Sequence, residues 1–292
     1  MHLPFLRADA HRALVRAEAL LDRAQQGEDP FVLFEERDLD LDGELEVSLA
    51  NRTLAAHVAP HDGGAVRGLD DKVRGLQLVD VLARWPGDGA GEDGDDRTRA
   101  AFVDRFFAPD GAGPDLGDFA SGRYRVVELA VDEDEDVQAR LHLRREGWVG
   151  ETPVTVDKTY RVELEGGHLA TAYRVLNRGA ERLSAAFGPE LSLSLSEQAR
   201  VRSAEGWAPV IGARALAGEL LIEDPQDGLR VVLDVSRPVR LEAAEVFTEI
   251  ETPAGQERLR QGLTLRLVVD LDLAPQEEAA LTVALFLREA PR

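Results

Sequence analysis

Two hydrophobic periods run along the chain, one confined to its start and the other filling the rest. Leu3, Leu6, Ala10, Leu14, Ala17 and Leu21 recur at spacings of three and four, which gathers them on one face of a helix. Arg7, Asp9, Arg12, Arg16, Asp22 and Arg23 fall mostly on the other side. Gly27 suits a helix end and Pro30 cannot continue the ladder, so the pattern predicts one amphipathic helix over residues 1–28. A lone helix cannot bury its own stripe. The apolar face must meet the body of the protein or another chain.

From Phe31 onward the period is two. Alternation is plain in Val127-Leu129-Val131, in Val137-Ala139-Leu141-Leu143, in Tyr160-Val162-Leu164 and in Leu191-Leu193-Leu195. It returns in Val231-Leu233-Val235, Leu263-Leu265-Leu267 and Leu281-Val283-Leu285. Turn residues punctuate these runs: Gly122, Gly147 with Gly150, Gly166-Gly167, Asn177 to Gly179, Asp227-Gly228 and Pro275. Short strands with polar outer faces and no helical pattern between them predict a mostly antiparallel β-sandwich over residues 29–292. Gly87 to Arg97 and Pro109 to Gly117 read as loops bracketing a buried segment, Ala100 to Phe107. Asp132 to Asp136 reads as the solvated tip of a hairpin.

Charge narrows the function. Over 292 residues, 55 acids against 34 bases give a formal net charge of -21, which argues against nucleic acid and against anionic membranes. Cysteine is absent, which removes disulfides, thiol nucleophiles and cysteine-ligated metals. No apolar run approaches the ~20 residues of a membrane span, and no signal-peptide pattern opens the chain, so a cytoplasmic protein is expected. Lys72 and Lys158 are the only lysines, a bias read as codon usage.

The sharpest local signal is Asp38-Leu39-Asp40-Leu41-Asp42-Gly43-Glu44-Leu45-Glu46. Carboxylates at alternate positions with a glycine after the third suit a loop wrapping oxygens around a hard cation. Asp38, Asp40, Asp42, Glu44 and Glu46 are therefore candidate ligands and calcium the candidate cofactor. The bland alternative is a solvated strand edge. Among the six histidines there is no HxH and no HExxH; His57 and His61 are four apart beside Pro60, where no helix is expected. His61 opens a turn, Asp62-Gly63-Gly64, and is read first as a solvated turn residue and second as an acid–base group. Trp85, Trp148 and Trp207 are read first as core residues and second as sugar-stacking platforms. Nucleotide loops and a serine-hydrolase elbow are absent from the sequence.

Several segments, in order, are similar to one family. Leu3-Pro4-Phe5-Leu6-Arg7, the Asp38–Glu46 loop and Ala59-Pro60-His61-Asp62-Gly63-Gly64 come first. Leu78 to Pro86 and Arg99 to Phe106 follow, then Phe187-Gly188-Pro189-Glu190-Leu191. Phe247-Thr248-Glu249-Ile250-Glu251-Thr252, with Glu257 and Gln261-Gly262, closes the set. Together they resemble the C-terminal half of glycoside hydrolase family 57 α-amylases and 4-α-glucanotransferases. The resemblance implies a galactose-mutarotase-like supersandwich preceded by the end of a helical region. It also implies a setting in α-glucan metabolism without the barrel that carries that family's reacting carboxylates. The expected function is a non-catalytic accessory domain that docks on a catalytic barrel subunit or holds α-glucan, with Trp85, Trp148 and Asp62 as candidate sugar contacts. The alternatives are a free-standing mutarotase-like epimerase using His61, His168 and Glu190, or a fragment of a complete α-glucan hydrolase or transferase.

Overall fold

A computed structural model of the chain describes residues 3–83, 95–132, 137–203, 206–252 and 255–291. The helix α1 (Pro4–Gln26) comes first, closed by Gly27 at φ 77, whose N–H donates to Arg23 O at 3.0 Å. Five strands follow: β1 (Val32–Arg37), β2 (Glu46–Asn51), β3 (Leu54–Ala59), β4 (Ala65–Asp71) and β5 (Leu76–Gln77). Next come β6 (Val103–Phe107), β7 (Arg125–Asp132), β8 (Gln138–Val149), β9 (Thr152–Glu163), β10 (His168–Asn177) and β11 (Leu183–Leu193). The last six are β12 (Arg200–Ser203), β13 (Gly206–Pro209), β14 (Gly212–Asp224), β15 (Leu229–Thr252), β16 (Gly255–Leu273) and β17 (Glu278–Glu289). The described strands pair antiparallel throughout, so the expected fold class holds.

Strands β1 to β5 form a small sheet in sequence order, and the rest form a large one. Strand β15 organises the large sheet by belonging to two layers. Its first part, Leu229 to Val235, pairs with β17, whereas Arg240 to Thr252 pairs with β16. Pro238 lies between the two parts and has no amide to offer a ladder, which suits the place where one partner is exchanged for another. One layer continues through β17, β10, β9, β8 and β7, the other through β16, β11 and β6. Alternation is obeyed where the pattern predicts it: β10 buries Leu169, Thr171, Tyr173 and Val175, and β17 buries Leu281, Val283 and Leu285. Gly147 departs from its expected role in a turn. It lies inside β8, where a Cβ would stand 2.2 Å from Asp118 Oδ1, and Gly150 alone makes the turn.

Strands β2 and β3 are buried on both faces because the small sheet lies between α1 and the large sheet. On its inner side an ion pair sits at full burial. Lys158 Nζ lies 2.8 Å from Asp104 Oδ2, and both side chains are 0% exposed. The ammonium also donates to Phe102 O at 2.8 Å, Gly63 O at 3.1 Å and Gly64 O at 3.3 Å. The rings of Tyr124, Tyr160 and Tyr173 surround it at 5.2, 5.7 and 5.5 Å. Tyr124 donates to Asp104 at 2.6 Å, so a single cation ties β9, β6 and the β3–β4 turn together.

The helix docks through polar contacts, which its sequence stripe does not show. Val15 is its one buried residue, flanked on the inward face by Arg7, Glu18 and Asp22. Asp22 accepts from buried Lys72 at 2.7 Å, and Arg7 donates to Asp80 at 3.0 Å and to Gln261 at 2.8 Å. Glu18 lies with His57 and Asp70 of the small sheet. His57 Nδ1 is 2.8 Å from Ser48 Oγ, and Nε2 is 3.2 Å from Asp70 Oδ2. The stripe itself points outward, with Leu14 66% and Leu21 60% exposed, so it does not meet the body of the protein.

Two outcomes follow from these contacts. Lys158→Met leaves Asp104 buried without its cation and is expected to cost about 3–5 kcal/mol in urea unfolding, whereas Lys158→Met/Asp104→Leu recovers most of the loss. For His57, burial lowers the imidazole pKa, but the hydrogen bond to Asp70 and the charges of Asp70 and Glu18 raise it further, so the net shift is above 6.5. A raised folded-state pKa contributes stability that is complete below the unfolded value and fades as pH rises through the folded one. The difference in melting temperature between the native chain and His57→Gln is therefore expected to be larger at about pH 5.5 than at about pH 8.5. A difference that grows with pH would contradict it.

Candidate functional site

The acidic loop between β1 and β2, the turn after β3 and the adjoining ends of β7 and β8 enclose an open groove of about 710 Å³. Its charged lining sets Glu36, Glu44 and Glu146 with His61 against four arginines, among them Arg123 and Arg144. The loop holds its shape with its own carboxylates. Asp38 accepts from the amides of Asp42 and Gly43, both at 3.1 Å, and Asp42 Oδ1 accepts from Glu44 N at 2.8 Å. Glu46 Oε2 accepts from Leu39 N at 2.7 Å. Leu41 at φ 63 and Gly43 at φ 91 take the left-handed backbone that brings these amides inward, and Leu41 is 85% exposed as a result.

Of the five predicted ligands, Asp38, Asp40 and Asp42 bring one oxygen each within 4.8 Å of the others. Glu44 instead reaches Arg123 at 2.6 Å across the mouth of the groove. Its carboxyl is held low, first by that hydrogen bond, with desolvation opposing and the guanidinium charge adding to it. Glu46 turns toward the turn after β3, where it meets His61. That histidine is not a solvated turn residue. Its side chain is 13% exposed, with Nδ1 3.6 Å from Glu46 Oε1 and Nε2 3.5 Å from Asp42 Oδ2. Sequence spacing places His57 and His61 four apart, and the fold gives them separate partners.

The candidate sugar contacts fall in different places. Asp62 is engaged by Arg67 and, at 3.0 Å, by Arg97. Trp148 is 55% exposed at the end of β8, beside a shallow pocket of about 280 Å³ shared with Glu146, Pro153 and Arg178. Trp207 is half-buried under the guanidinium of Arg200 at 4.7 Å, so neither of these tryptophans is the core residue first expected. Trp85 lies outside the described residues. The epimerase set does not assemble among the described residues: His168 stacks on Phe286 at 4.9 Å and Glu190 receives Arg266 at 3.2 Å.

Both lysines, passed over in the sequence as codon habit, prove structural. The resemblance motifs also converge at the root of α1, which sequence order could not show. Arg7 joins Asp80 and Gln261, and Gln261 donates to Thr248 at 2.7 Å. A second groove of about 550 Å³ opens there.

The model of the family described as "Alpha-amylase/4-alpha-glucanotransferase, C-terminal" matches residues 38–87 and 93–283. An alpha-amylase of Pyrococcus horikoshii is 26% identical over 240 residues, covering 78% of this chain and 35% of the amylase. The crystal structure of a 4-alpha-glucanotransferase from Thermococcus litoralis superposes with a TM-score of 0.75 at 24% identity, over 97% of this chain and 42% of that one. A galactose mutarotase-like protein from Clostridium acetobutylicum shares the fold at TM-score 0.60 and 13% identity, over 89% of this chain and all of that one. The chain thus spans well under half the length of the amylase and the glucanotransferase.

Proposed function

The chain belongs to the alpha-amylase/4-alpha-glucanotransferase C-terminal family, and from that premise we propose that it is a non-catalytic accessory domain serving α-glucan metabolism while seated on a catalytic partner. One observation carries the reading: α1 is latched to the sandwich by its polar side and turns its apolar side to solvent. Phe5, Leu6, Leu14, Leu20 and Leu21 are 61, 41, 66, 64 and 60% exposed. Five large apolar side chains on one element make a patch of the kind that marks a protein interface. Burying each contributes roughly 1.5–3 kcal/mol relative to leaving it in water. The relatives' additional length supports a catalytic barrel of the glycoside hydrolase family 57 type as the partner.

In this reading the exposed ring of Trp148 supplies a sugar contact, since a flat aromatic face stacks on the apolar side of a pyranose ring. Trp148→Ala is expected to abolish retardation of the native chain in gels containing glycogen; equal mobility of variant and native chain in such gels would remove the sugar contact. For docking, tagged native chain is expected to capture from source-cell extract a protein that hydrolyses or transfers α-glucan, while Leu14→Glu/Leu21→Glu captures none. The purified chain alone is expected to leave maltooligosaccharides intact. Turnover by the isolated chain, or equal capture by the double variant, would overturn the proposal.

A further inference from the structure

Glu46 is 4% exposed, and its Oε1 is buried without a hydrogen-bond partner. His61 Nδ1, 3.6 Å away, is buried and without a hydrogen-bond partner as well. That separation is too long for a hydrogen bond, and two polar atoms left unpaired in the interior cost stability. It is close to the roughly 3.3–3.5 Å that separates two ligands of one tetrahedral ion when each bond is about 2.0–2.2 Å. Asp42 supplies the third donor. One oxygen of Asp42, one of Glu46 and one nitrogen of His61 all lie within 4.8 Å of one another. Glu46 is fixed by its other oxygen on Leu39 N, whereas Asp42 is 45% exposed and keeps Oδ1 on Glu44 N. It offers Oδ2, which lies 3.5 Å from the ring's other nitrogen, Nε2, and must turn toward Nδ1 to complete the set.

We infer that Asp42, Glu46 and His61 bind one divalent cation of the zinc type at the floor of the groove. Ligand chemistry sets the choice. An all-oxygen loop selects calcium, but a buried imidazole nitrogen among the donors favours a borderline ion. Two carboxylates balance its charge. Arg67, whose guanidinium feels Asp40, Glu46 and Asp42, shares Asp62 with Arg97 and is drawn partly away from the ion by that contact. The bound ion would tie Asp42 of the acidic loop and Glu46 at the start of β2 to the turn after β3. His61 also lines the groove, so a coordination position left open by the three ligands would be reached by water or a sugar hydroxyl from there. This site is independent of the docking face on α1.

The test is titration of chelator-treated, full-length chain with zinc chloride by calorimetry, calcium chloride being run in parallel. One equivalent of zinc is expected to bind more tightly than calcium. His61→Ala and Glu46→Gln should each weaken zinc binding at least about tenfold, a loss of the size metal sites show even for outer-shell changes. His57→Gln should leave zinc binding unchanged, since that residue does not belong to the set. Cobalt substituted for zinc should give a visible absorption band that disappears in His61→Ala, with circular dichroism confirming that the variant is folded. Absence of zinc binding, tighter binding of calcium, or unchanged zinc affinity in folded His61→Ala would overturn the assignment.

Discussion

The Lys158–Asp104 pair is the constraint on which the arrangement of the sandwich rests. Neither group can stay charged in an apolar core alone, and each is held by the other together with three carbonyls and a tyrosine hydroxyl. Those partners come from β9, β6, the loop before β6, the β3–β4 turn and the segment before β7, so satisfying one ion pair fixes five segments at once. The small sheet is thereby seated against the large one with a defined orientation. The turn that carries His61 is seated with it, because Gly63 and Gly64 accept from that same ammonium. The core fixes the groove, and the acidic loop adapts to it.

The two faces of α1 divide two tasks. Its inward face is a row of polar partners, Arg7 with Asp80 and Gln261, Glu18 beside His57, and Asp22 with Lys72. Its outward face is apolar and large. A helix packed by hydrophobic burial alone would have turned that stripe to the sheet. Paired charges hold the opposite side inward, which leaves the stripe available for a second protein. This division explains how a sandwich that closes its own core still presents a strongly apolar surface.

Much of this was legible in the sequence. Strict alternation in segments such as Leu281-Val283-Leu285 fixed their character, because one face of each strand is core and the other is not. The amphipathic helix was legible too, but its orientation was not, since periodicity reports that two faces differ and not which one docks. The partners that decide the matter, Lys72, Asp80 and Gln261, lie far along the chain. The double membership of β15 was hidden because both its halves show the same period. For the candidate site, the loop carboxylates stood out, yet their use by the loop's own amides depends on left-handed backbone at Leu41 and Gly43. His61 read as solvated because it opens an Asp-Gly-Gly turn, the kind of segment that usually faces water. The groups that flank its ring, Asp42 and Glu46, lie earlier in the chain. The two lysines carried a usable signal: in a chain whose other bases are arginines, both are buried in ion pairs.

The most direct measurement exploits the absence of cysteine. A photoreactive group attached to the sole thiol of Leu14→Cys reports what covers the outer face of α1 in source-cell extract, with Glu289→Cys on the sandwich as the comparison. The account predicts a covalent adduct from position 14, and none from position 289, to a protein that hydrolyses or transfers α-glucan. An adduct to a second copy of this chain, or no adduct from position 14, would contradict it.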